Sequence, residues 1–332
     1  MNLHTRIKIL SSLGDYLLQE KDSYKEAQQR AWVENKWFIP SYISLSGKSI
    51  AREMLQASKL EEVAVLYQIP NQVENPRTIG LVMAGNIPFV GLQDLICVFL
   101  AGHQLKIKLS SKDTILIHHI VKALTEQYPE LTKWISIQDM LKDCDAYIAT
   151  GSDNSARYFE YYFSKYPHII RKNRTSVAIL EGTETKEELE SLADDIQLYF
   201  GLGCRNITQI WVPQEYDFVP LLGALRKYDH YKDHDKYKNN FDYQLTIAIM
   251  NNRFYMSNDS IVLIENESPF SPISQLHYQF YEDPVDVKNK IDETKIQCIV
   301  GKGFTPFGMA QQPSLTDFPD GVDTMNFLKN LT

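Results

Sequence analysis

The chain has 332 residues, 44% of them hydrophobic and 23% charged, a balance ordinary for a globular protein and long enough for two domains with sizeable cores. Its formal net charge of −8 argues against a nucleic-acid-binding surface. The N-terminal stretch turns charged too soon for an export signal, and the longest apolar run, 92–101, is broken by Gln93 and Asp94 and too short to span a bilayer. The expected compartment is therefore the cytoplasm, with the four cysteines kept as thiols.

Residues 1–65 predict helix, because apolar positions recur at three and four. Residues 63–69 and 78–83 are short runs of β-formers around the turn-prone segment 70–76, which predicts two strands joined by a loop or hairpin. From there strands (79–83, 104–109, 146–149, 177–180) alternate with helices (91–101, 114–127, 155–163). That alternation predicts a parallel sheet covered on both faces, with ligands at the carboxyl ends of its strands. Residues 186–200 read as an amphipathic helix with Leu189, Leu192, Ala193, Ile196 and Phe200 on one face. Thr185 and Glu188 form a capping box at its start, and Gly201 and Gly203 stop it. Cys204 follows on a glycine-bounded loop, ahead of a strand over 207–212. The polar segment 226–243 predicts a solvated stretch. Strands over 260–264 and 296–300 and a helix over 285–291 complete the pattern, and the proline-bearing tail predicts an irregular segment. The expected division is 1–180, 181–305 and 306–332.

None of the cysteines forms a CxxC pair, and no spacing suits zinc, so no metal is expected. Cys97 and Cys298 lie in apolar runs and predict burial. Cys144 sits between Asp143 and Asp145, whose carboxylates would raise its pKa. Cys204 lies between Gly203 and Arg205; an open backbone and a nearby cation suit a nucleophile, and a small residue suits a tight turn. Asn86, in Asn86-Ile87-Pro88 after a strand, can donate to an oxyanion or cap the next helix. Lys108, at another strand end, can hold a ribose or phosphate or be solvated. Gly151 and Ser152 open a helix, where a pyrophosphate or a simple serine cap would fit. His230 and His234 are four apart, but in so polar a segment they read as solvated.

Taken together, the order Asn86, Lys108, Gly151-Ser152, Cys204 resembles the aldehyde dehydrogenase superfamily over roughly residues 65–310. The whole chain is most similar to its acyl-CoA reductase branch, to which the reductases of bacterial luminescence belong. Supporting stretches are 171–180, 201–207 and Glu267-Ser268-Pro269-Phe270-Ser271-Pro272, and the superfamily, like this chain, lacks a GxGxxG fingerprint. The resemblance implies an α/β fold with a parallel-sheet cofactor domain and a second α/β catalytic domain. It implies Cys204 as nucleophile, Asn86 as oxyanion donor, Lys108 at the cofactor ribose, Gly151 and Ser152 at the pyrophosphate, and Phe270 against the nicotinamide. The family's glutamate beside that phenylalanine falls on Ser268, with Glu267 adjacent.

Two departures carry information. The hydrolytic members have a general-base glutamate where this chain has 169–176, which contains no acidic residue; Glu181 stands just beyond as a candidate substitute. Ser111 occupies the place of a glutamate common in NAD-preferring members, which puts NADPH ahead of NADH. The resemblance thus implies an acyl-CoA reductase in which an acyl group passes from CoA, or another thioester, to Cys204 and is reduced to an aldehyde. It further implies a homo-oligomer and allows an acyl-activating partner enzyme. Two other readings are a cysteine acyltransferase or thioesterase without redox chemistry, and a non-catalytic nucleotide-binding relative.

Overall fold

Four helices open the chain: α1 (Leu3–Gln19), α2 (Asp22–Glu34), α3 (Pro40–Met54) and α4 (Ala57–Leu66). The computed structural model describes residues 1–331, with 284–286 as backbone only. Asn2 caps α1 by accepting the Thr5 N–H at 2.8 Å, and Pro40 occupies the first turn of α3, where its missing N–H costs nothing. Residues 63–66 belong to α4 and not to the expected strand. Leu60, Val63 and Ala64 are buried at helical spacing while Val65 points to solvent, so the period of three and four outweighs the β-branched composition.

The chain then builds β1 (Thr78–Val82), α5 (Leu92–Ala101), β2 (Gln104–Lys108), α6 (Ile115–Gln127), β3 (Ile135–Ile137), β4 (Ala146–Thr150), α7 (Asp153–Phe163) and β5 (His168–Arg171). These strands form a parallel sheet in the order β3-β2-β1-β4-β5. All of α5 is buried, including the two polar residues that break its apolar run. The Gln93 amide donates to the carbonyl of Leu315 at 3.1 Å, and the Asp94 carboxylate pairs with the Arg171 guanidinium, which also donates to Thr324 Oγ1 at 2.8 Å. Removing one member of so buried a pair leaves an uncompensated charge.

These elements, with Gln312–Thr332, make one compact unit, Met1–Asn173 plus Gln312–Thr332; Arg174–Gln311 make a second. The expected boundary after 180 moves to 173, because the strand over 177–180 hydrogen-bonds in the second sheet. The tail expected to be irregular carries a helix, Thr324–Lys329, whose Met325 and Leu328 are buried. The second unit runs β6 (Thr175–Ile179), α8 (Lys186–Gln197), β7 (Ile207–Pro213), α9 (Val219–Leu225), α10 (Asp235–Met250), β8 (Met256–Ser257), β9 (Val262–Glu265), β10 (Gln275–Tyr281), α11 (Pro284–Lys290) and β11 (Ile296–Val300). Its sheet order is β11-β6-β7-β10-β9-β8, parallel except for the β8–β9 pair. Strand β10 is hidden in the sequence because Gln275, His277 and Gln279 interrupt its apolar character. Among the described residues no helix is long and apolar enough to cross a membrane.

Candidate functional site

The first unit gathers five of the expected residues at one edge of its sheet. From β1 the chain crosses to β2 on one side and later enters β4 on the other, so the strand order reverses beside β1. Such a reversal opens a crevice at the carboxyl ends of the strands. Asn86 lies in the loop leaving β1. Lys108 ends β2 opposite Val82, and Gly151 and Ser152 follow β4, whose Ala149 lies opposite the same Val82. Lys108, Ser111 and Ser152 are exposed, and Asn86 and Gly151 are half-buried.

The competing roles separate here. Helix α5 starts after Gly91 without any side-chain cap, so Asn86 is not its N-cap. Ser152 does cap a helix: its Oγ accepts the Ser155 N–H at the start of α7, at 3.4 Å. The Gly151 N–H donates to the Arg171 carbonyl at 3.3 Å, and a Cβ on Gly151 would come within 2.9 Å of Phe159 and Ser155. An anion at this turn would therefore face the N-terminus of α7 and not the Gly151 N–H.

The loops after β1 and β2 are locked together. A Cβ on Gly85 would stand 2.7 Å from Ser110 Oγ, so the close approach requires glycine. Asp113, buried, accepts the Phe89 N–H at 3.1 Å and holds Phe89 in a left-handed conformation, φ +62°. Its Oδ1 has no partner, and burial pushes the carboxyl up to about 7 against the pull of the Phe89 N–H. A lone aspartate in Ser-Ser-Lys-Asp carries no spacing signal, so nothing in the sequence singles it out. A raised carboxyl pKa makes the folded state hold a proton that the unfolded chain has released. Stability from this group is thus intact below about pH 4, falls by at most about 1.4 kcal/mol per pH unit as pH rises toward 7, and stays at the lower level above that. Asp113→Asn should flatten the decline in thermal midpoint between pH 5 and pH 8 relative to wild type. Equal declines in the two proteins would exclude Asp113 as its source.

The second unit places Cys204 on the loop between α8 and β7. Helix α8 begins at the expected capping box, with the Thr185 hydroxyl accepting the Glu188 N–H at 3.2 Å and the Glu188 carboxylate accepting the Thr185 N–H at 2.8 Å. Beyond α8, Tyr199, Phe200 and Gly201 take left-handed conformations in succession. The segment expected to be solvated, 226–243, packs behind this turn instead. Tyr228, Tyr231 and Tyr237 are buried, the Tyr231 hydroxyl donates to the Gln197 carbonyl at 2.7 Å, and the Phe200 ring lies 4.5 Å from that of Tyr231. The tyrosines bury their rings while the lysines and most of the aspartates between them face water, so composition alone reads as solvated. His234 caps α10 by accepting the Tyr237 N–H at 3.3 Å, and no group of residues able to hold a metal occurs among the described residues.

Cys204 is half-buried, and its carbonyl accepts a hydrogen bond from Ser176 Oγ at 3.0 Å. The same hydroxyl lies 3.1 Å from the thiol of Cys298, which is half-buried, not fully buried as expected, because β11 is an edge strand. Burial keeps the Cys298 pKa above its usual value, against the lowering pull of the Ser176 hydroxyl and of Arg205. Cys144 is also raised, chiefly by burial and only slightly by its two aspartates. Glu181 is excluded as a base for Cys204. Strands β6 and β7 are parallel, with Ser176 beside Ile207, so Cys204 precedes the amino end of β7 while Glu181 follows the carboxyl end of β6. Five extended residues separate the two edges by roughly 16 Å. Glu181 is also paired with Lys302 at 3.0 Å.

Phe270, half-buried, lies on the loop before β10. The buried Gln209 on β7 donates its amide to the carbonyls of Asn266 (3.0 Å), Glu267 (3.2 Å) and Ser268 (3.3 Å), and His277 Nδ1 lies 2.7 Å from the Ser268 carbonyl. Burial lowers the His277 pKa against the pull of the Ser268 carbonyl, which raises it. A cavity of about 440 Å³ adjoins this loop, with Trp211, Gln209 and Glu267 among its walls.

No protein-family model and no curated protein sequence matches the chain. Its fold does have solved relatives. The aldehyde dehydrogenase KauB of Pseudomonas aeruginosa aligns over 90% of this chain and 72% of its own, with TM-score 0.65 and 11% identity. An NAD⁺ complex of aldehyde dehydrogenase from Bacillus cereus aligns over the same shares, 90% and 72%, with TM-score 0.64 and 10% identity. The indole-3-acetaldehyde dehydrogenase AldA of P. syringae, in complex with NAD⁺, gives 0.67 and 10%, again over 90% and 72%. At such identities the likeness is one of fold: the chain has the two-sheet α/β fold of the aldehyde dehydrogenases.

Proposed function

We propose that the chain is an NADPH-dependent acyl-thioester reductase that carries the acyl group on Cys204. The observation that carries this reading is the placement of Asn86, Lys108 and Gly151-Ser152 at the carboxyl ends of three adjacent strands around a topological reversal, on a fold shared with NAD⁺-binding aldehyde dehydrogenases. The residues fit a dinucleotide. Lys108 would meet a ribose and the N-terminus of α7 a pyrophosphate, while Phe270, on its pinned loop, would pack against the nicotinamide. NADPH, when bound, supplies the hydride that converts the acyl group to an aldehyde.

The chain's own residues account for the other steps. The Cys204 thiolate attacks the thioester carbonyl. The Asn86 amide and the Cys204 N–H stabilise the oxyanion, and the CoA thiolate departs as the Cys204–acyl bond forms. Hydrolysis of that bond needs a base to activate water. Segment 169–176 has no acidic residue, and Glu181 stands at the far edge of the sheet, which supports reduction over hydrolysis and disfavours the thioesterase reading. Loss of NADPH absorbance across a chain-length panel of acyl-CoA substrates tests the proposal; acylation of Cys204 without NADPH oxidation would replace it with an acyltransferase.

Ser111 bears on the cofactor. It is exposed, three residues beyond Lys108, where a carboxylate would repel a 2′-phosphate. Ser111→Glu should move the NADPH-to-NADH preference toward NADH by roughly tenfold, the scale of one surface charge pair. Unchanged KM values for both cofactors would place the 2′-phosphate elsewhere.

A further inference from the structure

We infer that Asn206 is the positioning residue that sets the Cys204 nucleophile, an assignment that rests on the reading of Cys204 just given. Asn206 is fully buried two residues beyond Cys204. Its Nδ2 donates to the carbonyls of Asp195 (3.0 Å), Ile196 (3.3 Å) and Leu198 (2.9 Å), and its Oδ1 accepts the Gly203 N–H at 2.7 Å. Both functions of the amide are therefore engaged. One end takes up the carbonyls of Asp195 and Ile196 at the end of α8 and of Leu198 just beyond it. The other end grips the residue immediately before the nucleophile.

The chain between these anchors needs such a clamp. Tyr199 and Phe200 are buried and left-handed, at φ +56° and +59°, a conformation that non-glycine residues adopt only when their surroundings impose it. Gly201 follows at φ +72°. The backbone then turns back, with the Asn206 N–H donating to the Gly203 carbonyl at 3.1 Å, and Cys204 lies inside that turn. Ser176 fixes the Cys204 carbonyl from β6, so the residue is held from both sides. Every hydrogen bond of the Asn206 side chain goes to backbone within this loop and helix end. It acts on the reaction through the position of Cys204 and not by touching the reacting atoms.

A helix cap with no effect on the nucleophile would lower stability and nothing else, so the test must separate the two. In the full chain, Asn206→Ala is compared with Val287→Ala, which removes methyl groups from a separate buried cluster with Ile179, Trp211 and Tyr281. Acylation of Cys204 by acyl-CoA is followed by intact mass in a single turnover, well below each thermal midpoint. Asn206→Ala should slow acylation by about a hundredfold, the scale of a nucleophile misplaced by an ångström, with KM within about threefold. Val287→Ala should acylate within about threefold of wild type. Equal rates for Asn206→Ala and wild type, or an equal loss in Val287→Ala, overturns the inference. If Asn206→Ala does not fold, Asn206→Ser carries the same comparison.

A wild-type chain that accepts no thioester would refute the functional reading, and Cys204 alkylation by iodoacetamide, which needs no substrate, then decides this one. A change of about tenfold or more in Asn206→Ala supports positioning, and an unchanged rate overturns it.

Discussion

Cys204→Ala should abolish acyl-enzyme formation and lower reductase turnover by roughly four orders of magnitude or more, as removal of a covalent nucleophile does. The other thiols offer no replacement. Cys97 is fully buried, and burial holds its pKa well above the ordinary thiol value. Cys144 and Cys298 are raised for the same reason, although Cys298 shares Ser176 with the Cys204 carbonyl. Removing a half-buried sulfur at a loop leaves the core intact, so the thermal midpoint should stay close to wild type. NADPH affinity, measured by fluorescence titration, should also persist, because Lys108 and the start of α7 belong to the first unit. Intact mass after incubation with acyl-CoA is the direct readout. A mass shift on the Cys204→Ala protein would move the nucleophile to another residue and end the assignment.

Asn86→Ala should slow acylation by about 10²–10³-fold, equivalent to about 3–4 kcal/mol of transition-state stabilisation, with little change in KM. The reason is differential: the amide matters when the carbonyl oxygen becomes an anion and little before. The fold makes this variant informative, because Asn86 caps no helix and its loop is held independently by Asp113 through Phe89. A lower thermal midpoint with unchanged turnover would make Asn86 a structural residue and not an oxyanion donor.

The elements nearest the proposed chemistry were the most legible. The alternation from 78 to 163 produced a parallel sheet, and the capping box at Thr185 and Glu188 formed as its spacing requires. Periodicity works there because β1 and β4 are buried along nearly their whole length, α5 is buried all round, and α6 buries one face. It failed where burial is carried by polar atoms. Strand β10 and the tyrosine segment behind Phe200 look solvated in sequence, and both are ordered by hydrogen bonds to backbone carbonyls that no local pattern encodes.

The candidate site divides the same way. By itself the sequence determined the residue types and their order: an Asn-x-Pro after a strand, a lysine at the next strand end, a Gly-Ser before a helix, and a cysteine between glycine and arginine. These are local signals, set within a few residues of chain. Only the tertiary structure showed which hydrogen bonds and which edges of a sheet those residues take. It removed Asn86 from helix capping and Glu181 from the vicinity of Cys204, and it assigned Ser152 to a cap. It also brought in Asp113, Asn206 and Gln209, buried side chains whose partners are backbone atoms of the loops and helix ends around them. A buried amide is invisible in composition and periodicity. What it holds in place is decided by the fold around it.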